Sequence, residues 1–225
     1  MEVIENRTEI KVAHRKAKTK PVVDEQQYLF VKRVLDIIMS FFGLLLLLPV
    51  FTVIAIAILV ENPRGNAIFR QVRVGKDGKP FKMYKFRSME VNAEQKLDQL
   101  LDCNEVSGAM FKMKNDPRIT RVGKFIRRTS LDELPQLWNV LRGHMSMVGP
   151  RPPLPREVLE YTPYEMARLS VIPGCTGLWQ VSGRNSLGFE EMVEMDLQYI
   201  AWRSLRMDLR IIGRTFITLI AKNGY

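Results

Sequence analysis

The residues of this sequence best suited to chemistry are two adjacent carboxylates that follow a pair of arginines. Asp132 and Glu133 come after Arg127, Arg128, Thr129, Ser130 and Leu131, and Pro135 stands two positions further on. One reading is structural: Ser130-x-x-Glu133 is a capping box, and acidic residues favour a helix N-terminus. Pro135 then moves the helix start a residue or two later, since proline is best tolerated in the first turn. The other reading is chemical. A positive helix end with nearby arginines would hold Asp132 ionised and attract a phosphate. An ionised aspartate can attack phosphorus. Two carboxylates facing a pyrophosphate repel it unless a divalent cation intervenes, and Mg²⁺ suits carboxylate and phosphate oxygens. Arg151 sits between Pro150 and Pro152 in GPRPP. It is either a solvated arginine on a rigid loop or a guanidinium presented with little entropy left to lose.

Other chemistries are excluded by what is missing. Cys103 and Cys175 lie far apart and in no C-x-x-C, and His14 and His144 are the only histidines, so no disulfide framework, zinc finger or His-rich site is indicated. G-x-x-x-x-G-K-[ST], H-E-x-x-H and G-x-G-x-x-G are absent, and no aspartate stands two positions from another. Among the 225 residues, 34 Lys+Arg against 24 Asp+Glu give a net charge of +10, and 46% are hydrophobic. A folded basic chain of this kind has acidic partners: nucleic acid, anionic lipid or phosphorylated substrates. The basic residues are interleaved with apolar and acidic ones and no nucleic-acid motif appears, which argues against the first.

These residues need elements to position them, and residues 37–60 set the class. IIMSFFGLLLLLPVFTVIAIAILV runs without a charge, longer than the roughly 18–20 apolar residues that mark a membrane helix. A helix apolar on every face fits poorly as the core of so small a protein. Pro49 near its middle removes a backbone hydrogen bond, and both flanks are basic, against the positive-inside bias of a simple span. A helix that enters, breaks at Pro49 and returns on the same face satisfies both clusters. The expected organisation is a basic tail over 1–27, a proline-broken re-entrant helix over 28–60, and a domain over 61–225. Within that domain, AIFRQVRV and FKMYKFRS around GKDGKP predict a β-hairpin. Ser88 or Asn92 can cap an amphipathic helix to about Leu101, and residues 127–143 read as one helix ending at Gly143. Residues 108–125 read as loop and short strand. The last helix is expected over 189–221, with Arg203, Arg206, Arg210 and Arg214 beside an apolar stripe of Leu205, Leu209, Ile212, Phe216 and Leu219, a pattern suited to a lipid interface. The fold class is α+β, mainly helical: a re-entrant helix plus a compact cytoplasmic domain with a β-hairpin and interfacial helices.

Read together, KRVLD at 32–36, the broken apolar helix, FRQVRVG at 69–75 and FKMYKFRSM at 81–89 resemble the bacterial sugar transferases, the monotopic polyprenyl-phosphate phosphoglycosyl transferases. So do NDPRITRVGKFIRRTSLDELPQLWNVLRG at 115–143, MSMVGPRP at 145–152 and PGCTGLWQVSGR at 173–184. The resemblance implies transfer of a phospho-sugar from a UDP-sugar, glucose or galactose among the donors, to undecaprenyl phosphate, with release of UMP. It places the chain at the cytoplasmic face of a bacterial inner membrane, with membrane lipids as partners, no nucleic acid, and a homo-oligomer left open. Asp132 falls on the family's nucleophile and Glu133 on its Mg²⁺-associated glutamate, so both become metal-site candidates. Arg127 and Arg151 match its phosphate-binding arginines, and Pro150–Arg151–Pro152 its uridine-holding element. Lys85, Arg87 and Arg184 join the substrate-binding set. Larger relatives carry further N-terminal helices, so this chain looks like a minimal catalytic form. Leu48-Pro49 departs from the Ser-Pro of some relatives. A catalytically silent scaffold is the competing expectation, and it sits badly with the presence of Asp132, Glu133 and Arg151.

Overall fold

The structure is a computed structural model and describes residues 25–97, 99, 100, 104, 113, 115–183 and 187–220. The expected tail over 1–27 therefore lies almost wholly outside the described residues.

The apolar stretch folds as two helices, α1 (Glu25–Leu46) and α2 (Leu48–Glu61), bent by 60° at the break between them. Pro49 occupies the first turn of α2, where its missing N–H costs nothing to the new helix but ends the old one. The ladder runs up to Leu47 N–H on Gly43 O (3.0 Å) and restarts with Phe51 N–H on Leu47 O (2.9 Å). Among the described residues no single helix is long and apolar enough to cross a membrane. The outer side of the pair is apolar and exposed, with Phe42, Leu46, Val53, Ile56 and Val60 pointing away from the protein.

The first turns of α1 are tied to the rest of the chain by polar side chains. Arg33 donates to Val140 O (2.6 Å) and Leu141 O (2.8 Å), and Asp36 accepts the Met147 N–H (2.9 Å). Lys32 donates to Val148 O (3.0 Å) and to Asp208 (2.9 Å). Spacings of four and three place these groups on one helix face.

The hairpin is present as expected. Strand β1 (Ile68–Val74) pairs antiparallel with β2 (Pro80–Phe86), from Ile68↔Phe86 to Val74↔Pro80. The turn between them carries Asp77 and Gly78 at φ 56° and 76°. Instead of the helix expected from Ser88 or Asn92, the described residues form tight turns: Ala93 N–H bonds Glu90 O, and Gln95 N–H bonds Asn92 O. Asn92 has φ 68°, a left-handed residue that a right-handed helix cannot contain. Part of the stretch read as loop is helical, α3 (Arg121–Arg128), and α4 (Gln136–Leu141) follows. Gly143, at φ 79°, closes α4 as expected.

A second sheet pairs β3 (Ser146–Val148) with β4 (Gly174–Thr176) in parallel. Short helices α5 (Pro155–Leu159) and α6 (Pro163–Met166) lie between them, and α7 (Leu178–Ser182) follows β4. Past β3 the backbones close in so tightly that a Cβ on Gly174 would sit 2.0 Å from Gly149 N. The expected single C-terminal helix is two, α8 (Phe189–Trp202) and α9 (Leu205–Ile220), because Arg203 leaves helical geometry at ψ 135°. On α9, Asp208, Ile211 and Ile212 face the protein, whereas Leu209, Phe216 and Ile217 face outward beside Arg206, Arg210 and Arg214. The expected apolar stripe is thus divided between the two faces.

Candidate active site

Three segments meet at Asp132. Helix α3 is started by Thr120, whose Oγ1 accepts the Gly123 N–H (2.9 Å), and by Glu61 at the end of α2, whose carboxylate accepts the Arg121 and Val122 N–H groups (2.8 and 3.1 Å). After Arg128 the chain turns at Ser130, φ 55°, into a single tight turn over Leu131–Glu133. The single helix expected over 127–143 is therefore interrupted. Ser130 caps nothing with its side chain, since an N-cap needs extended backbone and Ser130 is left-handed. A non-glycine residue held there costs on the order of 1 kcal/mol, a local strain typical of functional turns. Leu131 anchors the turn by packing against the cluster formed by Ile54 and Ile58 of α2, Phe86 of β2 and Ile126 of α3.

The hairpin brings charge to the turn. Asn139 of α4 is fully buried; its Oδ1 accepts the Tyr84 N–H (3.0 Å) and its Nδ2 donates to Lys82 O (2.7 Å). That clamp holds β2 against α4, and Lys85 Nζ meets Glu133 Oε1 at 2.7 Å. Arg127 Nε donates to Ser88 Oγ (2.9 Å). Asp132 is only 8% exposed. Burial pushes its carboxyl up to about 6 and Glu133 adds to the rise, while Lys85 and Arg127 oppose it. The expectation of a carboxylate held firmly ionised is corrected accordingly: desolvation outweighs the cations, although the ionised form still predominates above neutrality.

Lys85, Arg87, Arg127 and Asp132 line one cavity of about 880 Å³, together with Ser88, Gln71, Arg70, Arg73, Arg118 and Arg156. Arg151 is not part of its wall. It forms an ion pair with Glu157 (3.1 Å), whose buried carboxylate also accepts the Leu154 N–H (2.9 Å). Pro150 and Pro152 hold the adjoining wall through their carbonyls: Pro150 O accepts the Gly174 N–H (2.9 Å), and Pro152 O accepts from buried Arg73 (3.0 Å). Arg184 lies outside the described residues. Sequence reasoning assigned no role to Arg73 or Arg118, and Ser88 entered it only as a candidate helix cap. Arg73 donates twice to Gln71 Oε1 (3.1 and 2.7 Å), and Arg118 grips Asp116 (2.6 Å) and Ala93 O (3.1 Å), shaping the wall over the cavity. Their motifs, FRQVRVG and NDPRIT, were visible, but nothing in the spacing says that these arginines turn inward.

No group of three or more acidic, histidine or cysteine side chains gathers among the described residues. Mg²⁺ keeps waters and takes one or two carboxylates plus substrate phosphates, so Asp132 and Glu133 are of the chemical type that could hold it, and Lys85 is the present partner of Glu133.

Residues 27–222 match the family described as bacterial sugar transferase. The chain is 48% identical over 200 residues to a galactosyl transferase, CpsE, of Streptococcus agalactiae, covering 88% of this chain and 44% of that protein. It is 44% identical over 204 residues to the UDP-glucose:undecaprenyl-phosphate glucose-1-phosphate transferase of Escherichia coli, covering 87% and 41%. It is 39% identical over 197 residues to the exopolysaccharide production protein ExoY of Rhizobium meliloti, covering 86% and 87%. The chain thus spans less than half the length of the first two relatives and most of the third. With a match running from α1 to the end of α9, the chain belongs to the bacterial sugar transferase family.

Proposed function

We propose that the chain transfers a hexose 1-phosphate from a UDP-sugar to undecaprenyl phosphate, with UMP as the second product. The observation that carries the reading is a buried carboxylate, Asp132, at the wall of a large cavity lined by six arginines and Lys85. Glucose and galactose are the favoured sugars, because the names of the relatives specify them.

In this reading an Asp132 oxygen attacks the β-phosphorus of the donor. The bond from that phosphorus to the bridging oxygen breaks, and UMP leaves with the electron pair. Lys85 and Arg127 stand close enough to Asp132 to act on its charge, so they are placed to stabilise the phosphoryl oxygens as negative charge gathers there. Ser88 fixes the Arg127 fork through Nε, which sets the direction of its terminal nitrogens. A phosphate oxygen of the lipid then attacks the same phosphorus; the phosphorus–carboxylate bond breaks and Asp132 returns as a carboxylate. Mg²⁺ held by Asp132 and Glu133 would neutralise charge on the donor pyrophosphate. The bent α1–α2 pair, apolar outside, would seat the chain re-entrantly at the cytoplasmic face of the bacterial inner membrane, as the first membrane step of exopolysaccharide or capsule assembly.

Incubation with UDP-glucose or UDP-galactose, without lipid, should release about one UMP per chain. It should also add one phosphohexose to the peptide bearing Asp132. Asp132→Asn should lose at least about a thousandfold in turnover. Full turnover by that variant would overturn the nucleophile assignment.

A further inference from the structure

The cavity has two different ends. One is walled by Arg73, Leu154 and Arg156, beside the Pro150–Pro152 segment. The other is walled by Gly65, Asn66 and Arg87, where the chain has just left α2. We propose that this second end is the subsite for the phosphate of the lipid acceptor, with Arg87 as its principal cation. The inference rests on the transfer to a lipid phosphate put forward above.

Arg87 is 8% exposed, and its Nη2 donates to Asn62 O (2.5 Å). Its Nη1 is buried and has no hydrogen-bond partner. A buried guanidinium N–H without an acceptor is costly and uncommon in a settled protein, and it marks a place where an anion would complete the site. What covers it on the facing loop is Gly65, which brings no side chain: a Cβ there would lie 1.9 Å from Nη1, so an anion reaches Nη1 through a small shift of the guanidinium or of this loop. Val91 stands within 3.0 Å of the same point, an apolar companion for the first carbons of a lipid.

Location supplies the second argument. The polar end of α2 is fixed by Glu61 on the start of α3, and the rest of its outer face is apolar and exposed through Val53, Ile56 and Val60. If that face lies in lipid, residues 62–66 lie at headgroup depth. A phosphate whose hydrocarbon tail stays in the bilayer reaches the cavity from this side, whereas a water-soluble nucleotide sugar has no need to. The donor's β-phosphorus must reach Asp132, and the acceptor phosphate must then reach the phosphorus held there; Asp132 lines the same cavity.

The two half-reactions separate this subsite from a general phosphate site. Donor-only UMP release reads donor binding and attack by Asp132. Transfer to undecaprenyl phosphate in detergent micelles, at saturating UDP-sugar, reads the acceptor. Arg87→Gln should raise the acceptor KM about tenfold or more beyond any change in the donor step, and Arg87→Lys should recover part of the loss. Gly65→Ala keeps every polar group and should act the same way, since its methyl must push the guanidinium aside. Should Arg87→Gln melt below wild type, Gly65→Ala decides. Equal losses in both half-reactions, or an acceptor KM within about twofold of wild type, would overturn the assignment. Absence of donor-only UMP release in wild type would count against the aspartyl intermediate instead, and the acceptor KM would still decide the subsite.

Discussion

For the attack proposed above Asp132 must be ionised, yet its place in the cavity wall raises its carboxyl to about 6, burial outweighing Lys85 and Arg127. The pH profile of kcat/KM for the donor should therefore fall on the acid side near pH 6, rather than near 4 as for an exposed aspartate. Stability runs the other way. Because the folded protein holds this proton more tightly than the unfolded chain, stability drops as pH rises from about 4 through 6. Asp132→Asn should accordingly be inactive but more stable at pH 7.5, by on the order of 1–3 kcal/mol, with the gain gone by about pH 4. Thermal melts of the two proteins across that range test it. Equal melting temperatures at every pH would mean that Asp132 is less desolvated than its surroundings indicate. The carboxylate pair stood out in the sequence with two readings, helix cap or chemistry, and the family resemblance rather than the spacing chose between them. Arg73 did not stand out. A period-2 reading of β1 buries Val72 and exposes Arg73, whereas Val72 is exposed and Arg73 buried. What reverses it is the long-range bond from Arg73 to Pro152 O, which no local pattern encodes, with Gln71 supporting the guanidinium from two residues away.

Among the elements, those with strong local signals were the ones read correctly: the charge-free run, the hairpin around Gly75–Gly78 and the stop at Gly143. The misread ones were overridden by single residues. Ser130 and Asn92 adopt left-handed backbone that their types permit without requiring, and Arg203 breaks a pattern that looks continuous from either side. The break between α1 and α2 has an identifiable cause in Pro49, so it should be removable. Pro49→Ala restores the missing donor and lets residues 34–60 form one helix; at about 1.5 Å per residue this is long enough to span a bilayer. Single cysteines at positions 5 and 224, in a cysteine-free chain on intact cells, should be shielded from an impermeant reagent without this substitution. With it, one or both should be labelled and activity should fall. Outside labelling of either position before the change would overturn the re-entrant seating.

At the scale of the whole molecule, three apolar clusters among the described residues share the work, and one of them is clear of α1, α2 and α9. The first joins α2 to β2 and α3; the second joins Met83, Val140 and Met145; the third joins Val148 and Tyr199 to Ile211 of α9. Helix α9 thus turns one face to the protein and leaves Arg206, Arg210 and Arg214 outside with Leu209 and Phe216. Adding phosphatidylglycerol to neutral vesicles should raise wild-type activity. Charge reversal at those three arginines should flatten that rise by at least about tenfold and leave the melting temperature alone, at about 1 kcal/mol per basic residue near an anionic surface. An undiminished response would detach α9 from the lipid surface. The first cluster also carries a lesson about biogenesis. Leu131, the residue beside Asp132, packs against the cluster that Ile54 and Ile58 of α2 build with Phe86 and Ile126. A nascent chain emerging from the ribosome offers α2 long before residue 131 exists, and the later residue has nothing to settle on until the earlier one is in place. The order of synthesis is thereby an order of assembly: the apolar helix pair first, the turn that carries Asp132 last.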